Sequence, residues 1–132
     1  MIILYSVVSI VALFFILQLS IVLGMRLKKG KPAPIVPGKA GKLMQRSENA
    51  LFYFYSPACR ACKDMTPMIK RLAQHNPAIV PIDVSQDMAT AKKFGVMGTP
   101  ATVVVKEGII KEFLIGPQSQ SKISALLRGQ ER

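Results

Sequence analysis

The sequence predicts an α/β fold in which a mixed central sheet is flanked by helices and preceded by one transmembrane helix. Three observations support this prediction. From residue 50 onwards, apolar segments with the spacing of strands alternate with segments that have the spacing of helices. The last two strand candidates meet at Glu107-Gly108, which is a hairpin signal. The first 25 residues contain no charged side chain.

The N-terminal segment, residues 1–25, is long enough to cross a membrane. As a helix it would extend about 37 Å at about 1.5 Å per residue, and the hydrocarbon core is about 30 Å thick. A cleaved signal peptide is the alternative. The apolar run is long for a signal, no lysine or arginine precedes it, and no A-x-A-like site follows it. We therefore expect a retained membrane helix from Ile2 to Gly24.

The next segment, residues 26–42, mixes proline, glycine and basic side chains, which favours an extended, exposed linker. From Arg26 to Arg46 the chain carries seven basic side chains and no acidic one, within a net charge of +11. A solvated linker that also sets membrane topology explains this cluster, and contact with anionic lipid head groups is compatible with it. No aromatic side chain is interleaved and no binding motif is present, so we expect no nucleic acid as a partner.

The same charges predict the side of the membrane. By the positive-inside rule, seven basic residues directly after the apolar segment place the following domain in the cytoplasm. Many membrane-tethered proteins with closely spaced cysteines face the oxidising side instead. An extracytoplasmic, periplasmic domain is therefore the alternative.

A compact domain is predicted over residues 43–132. Its predicted elements are a strand at Ala50 to Tyr55, a helix at Cys59 to His75, a strand at Ala78 to Val84 interrupted at Pro81, a short helix at Asp87 to Phe94, strands at Ala101 to Lys106 and Ile109 to Leu114, and a helix at Ser119 to Leu127. Pro67 is expected to kink the first of these helices. A parallel strand pair needs a helical crossover and the last pair is a hairpin, so the sheet is mixed.

The two cysteines of the chain, Cys59 and Cys62, are separated by two residues at the start of the first domain helix. A helix N-terminus carries a partial positive charge, which favours a thiolate over a thiol. The second sulfur, one turn further on, is close enough to attack a mixed disulfide. The pattern therefore predicts disulfide exchange.

A Cys-x-x-Cys pair also occurs in zinc sites, which usually need four ligands. The single histidine, His75, is expected in the last turn of the same helix, far from Cys62, and is interpreted as a polar residue at a helix end. We therefore expect neither a metal nor a cofactor. A metal shared between two chains, or a metallochaperone role for the cysteines, is a minor alternative.

Further residues accompany the cysteines in a fixed order: Lys63, Pro67, the loop Gly95 to Pro100, and Gly116. Together with Cys59 and Cys62 they resemble the thioredoxin family, over roughly Leu43 to Arg132. The resemblance implies a thioredoxin-like fold and a cis peptide bond between Thr99 and Pro100. It also implies a membrane-anchored thiol-disulfide oxidoreductase whose partners are protein thiols and disulfides, a redox partner and the lipid membrane.

The resemblance also assigns roles within the site. Cys59 would be the nucleophile that attacks a substrate disulfide, and Cys62 would be the resolving thiol that releases the reduced substrate. Thr99 and Pro100 would line the substrate groove. Arg60 would favour the Cys59 thiolate and so make the pair more oxidising. The alternative for Arg60 is an exposed charge that points to solvent.

The sequence departs from the family's pattern at three positions. Ala58 stands where tryptophan is usual, Tyr53 where the family has a buried acid that assists proton transfer, and Pro81 where it has the lysine partner of that acid. Help with proton transfer is therefore expected from water or elsewhere. The family's N-terminal strand and helix are reduced to remnants at Ile35-Val36 and Leu43 to Arg46.

The alternative function belongs to another class of protein. It is a redox-inactive thioredoxin-fold tether or adaptor that binds a partner at the groove near Pro100. Retention of both Cys59 and Cys62 argues against it. The direction of electron flow is not predicted, because Arg60 favours oxidation or isomerisation whereas the cytoplasmic location favours reduction.

Overall fold

The computed structural model describes residues 1–46 and 49–129. The helices of this part of the chain are α1 (Ile2–Arg26), α2 (Gly38–Gln45), α3 (Met65–His75), α4 (Met88–Phe94) and α5 (Gln120–Arg128). Its strands are β1 (Ala50–Tyr55), β2 (Ile79–Asp83), β3 (Ala101–Lys106) and β4 (Ile109–Ile115), and a 3-10 turn spans Arg60–Cys62. The predicted alternation of strands and helices is confirmed.

The four strands form one mixed sheet in the order β2-β1-β3-β4. Strand β1 pairs in parallel with β2 and antiparallel with β3, and β3 and β4 form a hairpin. The hairpin turn has positive φ angles at both central residues, 52° at Glu107 and 74° at Gly108. Tight hairpins favour this type of turn, because its backbone twist matches that of the flanking strands.

Apolar side chains cover both faces of this sheet. On one face Phe52 and Phe54 pack with residues of α2 and α4, including Phe94. On the other face Leu51 and Tyr53 pack with residues of α3 and α5. Successive residues of a strand point to opposite faces, so β1 is buried on both sides. The predicted sheet with helices on both faces is confirmed.

Pro81 lies in the outer strand β2 and does not interrupt it. The Val84 N–H donates to the Tyr55 carbonyl of β1 at 2.9 Å. Because alternate residues of a strand face the same neighbour, the nitrogen at position 81 points away from β1. A proline there removes no hydrogen bond from the ladder.

Helix α3 begins later than the sequence pattern predicts. The turn that carries the cysteines is a 3-10 turn, and α3 starts only at Met65. Pro67 therefore lies in the first turn of α3, where the backbone N–H groups have no intrahelical acceptor. Its missing N–H breaks no helical hydrogen bond, so Pro67 belongs to the helix start and not, as predicted, to its interior.

The basic, proline-rich segment after α1 is largely exposed, as its composition predicts, but it is hydrogen-bonded to the domain. The Gly30 N–H donates to the Ile110 carbonyl at 2.7 Å, and the Ile110 N–H donates to the Lys31 carbonyl at 2.9 Å. Further on, the Ala33 N–H donates to the Gly108 carbonyl at 2.7 Å. This segment thus lies against the outer edge of β4, and the residues that follow it form α2.

Helix α1 is long and apolar enough to cross a membrane by length and composition. Its side chains are exposed along most of its length. The last turn is different, because Met25 is only 3% exposed and Ile21 packs against the same core cluster. The Met97 N–H also lies 3.4 Å from the Met25 sulfur. The end of α1 is therefore part of the hydrophobic core of the domain.

Candidate active site

Cys59 and Cys62 form a disulfide in the turn between β1 and α3, with their Cα atoms 5.3 Å apart. The backbone of Cys59 is extended, and the residue caps the 3-10 turn that contains Cys62. The Cys59 N–H donates to the Ser56 carbonyl at 3.0 Å, and the Cys62 N–H donates to the Cys59 carbonyl at 3.3 Å. These two bonds keep the first cysteine at the end of β1 and the second over the start of α3.

The two cysteines differ in exposure. Cys62 is 2% exposed, whereas Cys59 is partly exposed. Cys59 is therefore the more accessible member of the pair. This is the geometry expected if one sulfur meets a partner and the other acts within the protein.

A cavity of about 270 Å³ lies beside the disulfide and is lined by both cysteines. Its other lining residues include Lys63, Lys70 and Asp83. Two ammonium groups against one carboxylate favour an anion in this cavity, and a cysteine thiolate is such an anion. The sequence pattern did not identify Lys70, although it follows Thr66 by four residues and so lies on the same face of α3.

The interior side of this cavity contains a hydroxyl pair. Tyr53 is fully buried, and its hydroxyl lies 2.8 Å from Oγ1 of Thr66, which also lines the cavity. The Tyr53 ring stacks on Tyr55 at 5.6 Å, and the Lys70 ammonium lies 5.0 Å from the Tyr55 ring centre. Burial raises the pKa of Tyr53. The position where a buried acid was expected from the family's pattern thus holds a neutral hydroxyl at neutral pH.

The Thr99–Pro100 peptide bond is cis. Ala101 pairs with Phe54, so Pro100 lies at the end of the sheet where β1 leads into the cysteine turn. Pro100 is buried, and its carbonyl accepts the Gly116 N–H at 2.9 Å. Thr99 lines a separate cavity of about 450 Å³. The structure therefore brings both residues to the disulfide end of the sheet but places neither in the lining of the cavity beside the disulfide.

The remaining residues from the sequence analysis lie at the surface. Arg60 is exposed in the 3-10 turn directly after Cys59. His75 is exposed at the last position of α3. Within residues 1–46 and 49–129, no group of three histidine, cysteine or acidic side chains is close enough to hold a metal ion.

Comparison with known proteins agrees with this geometry. The thioredoxin family model matches residues 40–129. The chain belongs to the thioredoxin family. A thioredoxin of Bacillus subtilis is 34% identical over 77 residues, which are 56% of this chain and 74% of that protein. A thioredoxin of Streptomyces clavuligerus is 27% identical over 88 residues, which are 65% of this chain and 79% of that protein.

Solved structures show the same relationship. A mutant thioredoxin from Halobacterium salinarum has a TM-score of 0.60 and 27% identity, and the match covers 71% of this chain and 86% of that one. The thioredoxin of Fasciola hepatica has a TM-score of 0.59 at 22% identity, covers 70% and 91% of the two chains, and shows the shared fold. With the Cys59–Cys62 pair in place, this member of the thioredoxin family is a thiol-disulfide oxidoreductase. Its family indicates protein thiols and disulfides as substrates.

Proposed function

We propose that this thioredoxin-family protein is anchored in a membrane by α1 and exchanges disulfides with protein substrates on the cytoplasmic side. The difference in exposure between Cys59 and Cys62 is the observation that carries the proposed exchange. An accessible sulfur can form a bond with a substrate sulfur, and a buried neighbour can break that bond from within the protein.

The exchange proceeds in two steps. In the reduced protein, the Cys59 thiolate attacks one sulfur of a substrate disulfide, so that a mixed disulfide forms and the other substrate sulfur leaves as a thiolate. Cys62, after losing its proton to solvent, attacks the Cys59 sulfur and releases the second substrate thiolate. The cysteine pair is then oxidised and the substrate reduced by two electrons. The reverse sequence of steps oxidises a substrate dithiol.

The residues around the disulfide have supporting roles in this proposal. Arg60, Lys63 and Lys70 place positive charge near the pair and so favour the Cys59 thiolate. Thr99 and Pro100 form part of the substrate groove, where an extended substrate segment pairs with the backbone of Thr99. A neutral hydroxyl pair lies beneath the cavity in place of a buried acid, so water is the proton acceptor for Cys62.

Two observations support the anchor. Helix α1 has the length and composition of a membrane span, and its last turn contributes Met25 to the core of the domain. Ile21, which lies before Gly24, also packs against this core, and a signal peptide cut off near residue 24 would remove that contact. The cluster of seven basic residues from Arg26 to Arg46 supports a cytoplasmic domain.

Membrane extraction and labelling of Cys59 in cells test the anchor and the side of the membrane. The protein should remain in the membrane pellet after an alkaline wash. After reduction, a membrane-impermeant maleimide should label it only when the cells are permeabilised, and the Cys59→Ser variant should stay unlabelled because Cys62 is buried. Labelling in intact cells would move the domain to the outer side of the membrane. Recovery in the soluble fraction would disprove the anchor.

A further inference from the structure

The path of the chain from α1 into the domain fixes which end of the sheet is nearest to the helix. Ala33 bonds to Gly108 at the hairpin, and the Lys29 ammonium lies 2.6 Å from the Glu112 carboxylate halfway along β4. Met25 precedes Lys29 in the chain and contacts Met97, so it lies on the side of Glu112 that is away from the hairpin. The segment thus runs antiparallel to β4, and α1 joins the domain at the end of the sheet opposite the hairpin.

The disulfide lies at this same end of the sheet. The cysteine turn follows the last residue of β1, and Ala101 at the start of β3 pairs with both Phe54 and Ile115. The loop that leads into β3 contains Met97, whose N–H contacts the Met25 sulfur. A seven-residue strand such as β4 is about 23 Å long. The hairpin at Glu107 is therefore further from α1 than the disulfide end, by up to about 20 Å.

Exposed apolar side chains lie at the disulfide end as well. Met97 is 66% exposed and Met88 is 50% exposed, and both line the 450 Å³ cavity that also includes Thr99. We call Met88 and Met97 the methionine surface. Methionine side chains are flexible and adapt to varied apolar partners, so this surface is suited to contact with an apolar partner.

We propose that the exchange partner of Cys59 and Cys62 is a cysteine pair that an integral membrane protein presents at the bilayer surface, against the methionine surface. This inference rests on the proposed function, because it requires both the anchor and the exchange. A domain whose α1 end faces the bilayer offers its disulfide to groups at the membrane surface. Confinement of both partners to one bilayer also raises their effective concentration.

The test compares two disulfide peptides in vesicles that contain the full chain in its reduced form. Both peptides span the membrane once. One carries its disulfide two residues beyond the apolar segment, and the other carries it after a spacer of about 20 prolines, which extends about 60 Å. We expect exchange with the surface disulfide to be at least about tenfold faster. Glutathione disulfide, which is soluble, serves as the substrate that reports the exchange chemistry alone.

A spacer variant provides the matched control. Twelve Gly/Ser residues inserted between Gly24 and Met25 keep Met25 and all later residues with the domain. They remove the Ile21 contact and the hydrogen bond from the Leu27 N–H to the Leu23 carbonyl, and they separate the domain from the span by about 20 Å on average. The preference for the surface disulfide should fall to within about twofold. The rate with glutathione disulfide should be unchanged, which also shows that the variant is folded.

A fluorescent label reports the orientation directly. In the Cys59→Ser/Cys62→Ser background, a label at Met97→Cys should be quenched by a quencher attached to lipid head groups, and a label at Glu107→Cys should not. Equal quenching at both sites, or equal rates with both peptides, would overturn the inference. Quenching at Met97→Cys without a rate preference would assign the methionine surface to lipid and overturn the partner. Failure to exchange even with glutathione disulfide would refute the proposed function itself.

Discussion

The hydroxyl of Tyr53 and Oγ1 of Thr66 lie 2.8 Å apart and join β1 to α3 directly beneath the disulfide cavity. Tyr53 is fully buried, whereas Thr66 is partly exposed to the cavity. The two hydroxyls satisfy each other, but they do not depend on each other equally. Without Tyr53, Thr66 can bond to water in the cavity, whereas without Thr66 the buried Tyr53 hydroxyl has lost its partner.

This asymmetry predicts unequal effects of two conservative variants on stability. Thr66→Val should lower the free energy of unfolding by about 1–3 kcal/mol, because it leaves a buried hydroxyl unpaired. Tyr53→Phe should lower it by only about 0.5–1.5 kcal/mol, the usual net contribution of one hydrogen bond. Denaturant unfolding of the oxidised proteins measures both. The double variant should cost less than the sum of the two, and simple additivity would contradict the pairing.

The buried tyrosine also predicts a loss of stability at alkaline pH. Burial raises the pKa of Tyr53 above the unfolded value of 10.0. Above pH 10 the unfolded chain therefore gives up this proton before the folded chain does, and the free energy of unfolding falls as the pH rises. Wild type should lose stability relative to Tyr53→Phe as the pH increases past 10, and the difference should be constant below it. Parallel curves over the whole range would show that Tyr53 does not titrate in this way.

The two thiols of the reduced protein should differ in pKa. Cys59 lies at the start of a helical turn with Arg60 beside it, so its pKa should be below the free-cysteine value of about 8.5, while Cys62 should titrate at higher pH. The rate of alkylation measured against pH should show a low-pH transition. That transition should disappear in Cys59→Ser and persist in Cys62→Ser. Equal reactivity of the two thiols would reject the assignment.

Removal of the resolving thiol should stop the cycle after its first step. Cys62→Ser should accumulate a mixed disulfide with its protein substrate, seen as a species of higher mass that a reductant collapses. Cys59→Ser should trap little, because the remaining thiol is 2% exposed. Trapping by Cys59→Ser alone would reverse the two roles, and trapping by neither variant would indicate that the fold acts without redox chemistry.

The charge of Arg60 should affect the redox equilibrium. Arg60→Ala should make the pair less oxidising and shift its equilibrium with glutathione by about twofold to tenfold, which is what one partly screened charge can supply. The matched control is Arg71→Ala, which removes an exposed arginine of α3 instead. It should leave the equilibrium unchanged. A shift of the same size in both variants would mean that only the net charge of the domain matters.

The sequence predicted those elements whose signals are local. Strand β1 is an uncharged run buried on both faces, and the hairpin depends on two adjacent residues, Glu107 and Gly108, so both were predicted at the correct positions. The start of α3 was missed, because the disulfide-bearing turn has the apolar spacing of a helix but adopts 3-10 geometry. The position of Pro67 follows from that displacement.

Features that depend on distant contacts could not be predicted from the sequence. The bonds between Gly30, Lys31 and Ile110 join residues about 80 positions apart, and no local pattern specifies them. The hydrogen bond between Tyr53 and Thr66 likewise requires the exact packing of α3 on β1. In the site, the residue pattern identified the cysteines. The lysines and hydroxyls that line the adjacent cavity became visible only once the chain was folded.

The two outer strands of the sheet are both unsuited to pairing with another molecule. On β2, Pro81 has no backbone N–H to donate on the side that faces away from β1. On β4, the chain's own Gly30–Ala33 segment already bonds to the part of the edge next to the hairpin, at Gly108 and Ile110. Unpaired sheet edges are where proteins join into aggregates, and crowding in a two-dimensional layer would favour such joining. The domain can therefore be held at high density without recruiting its neighbours into a continuous sheet.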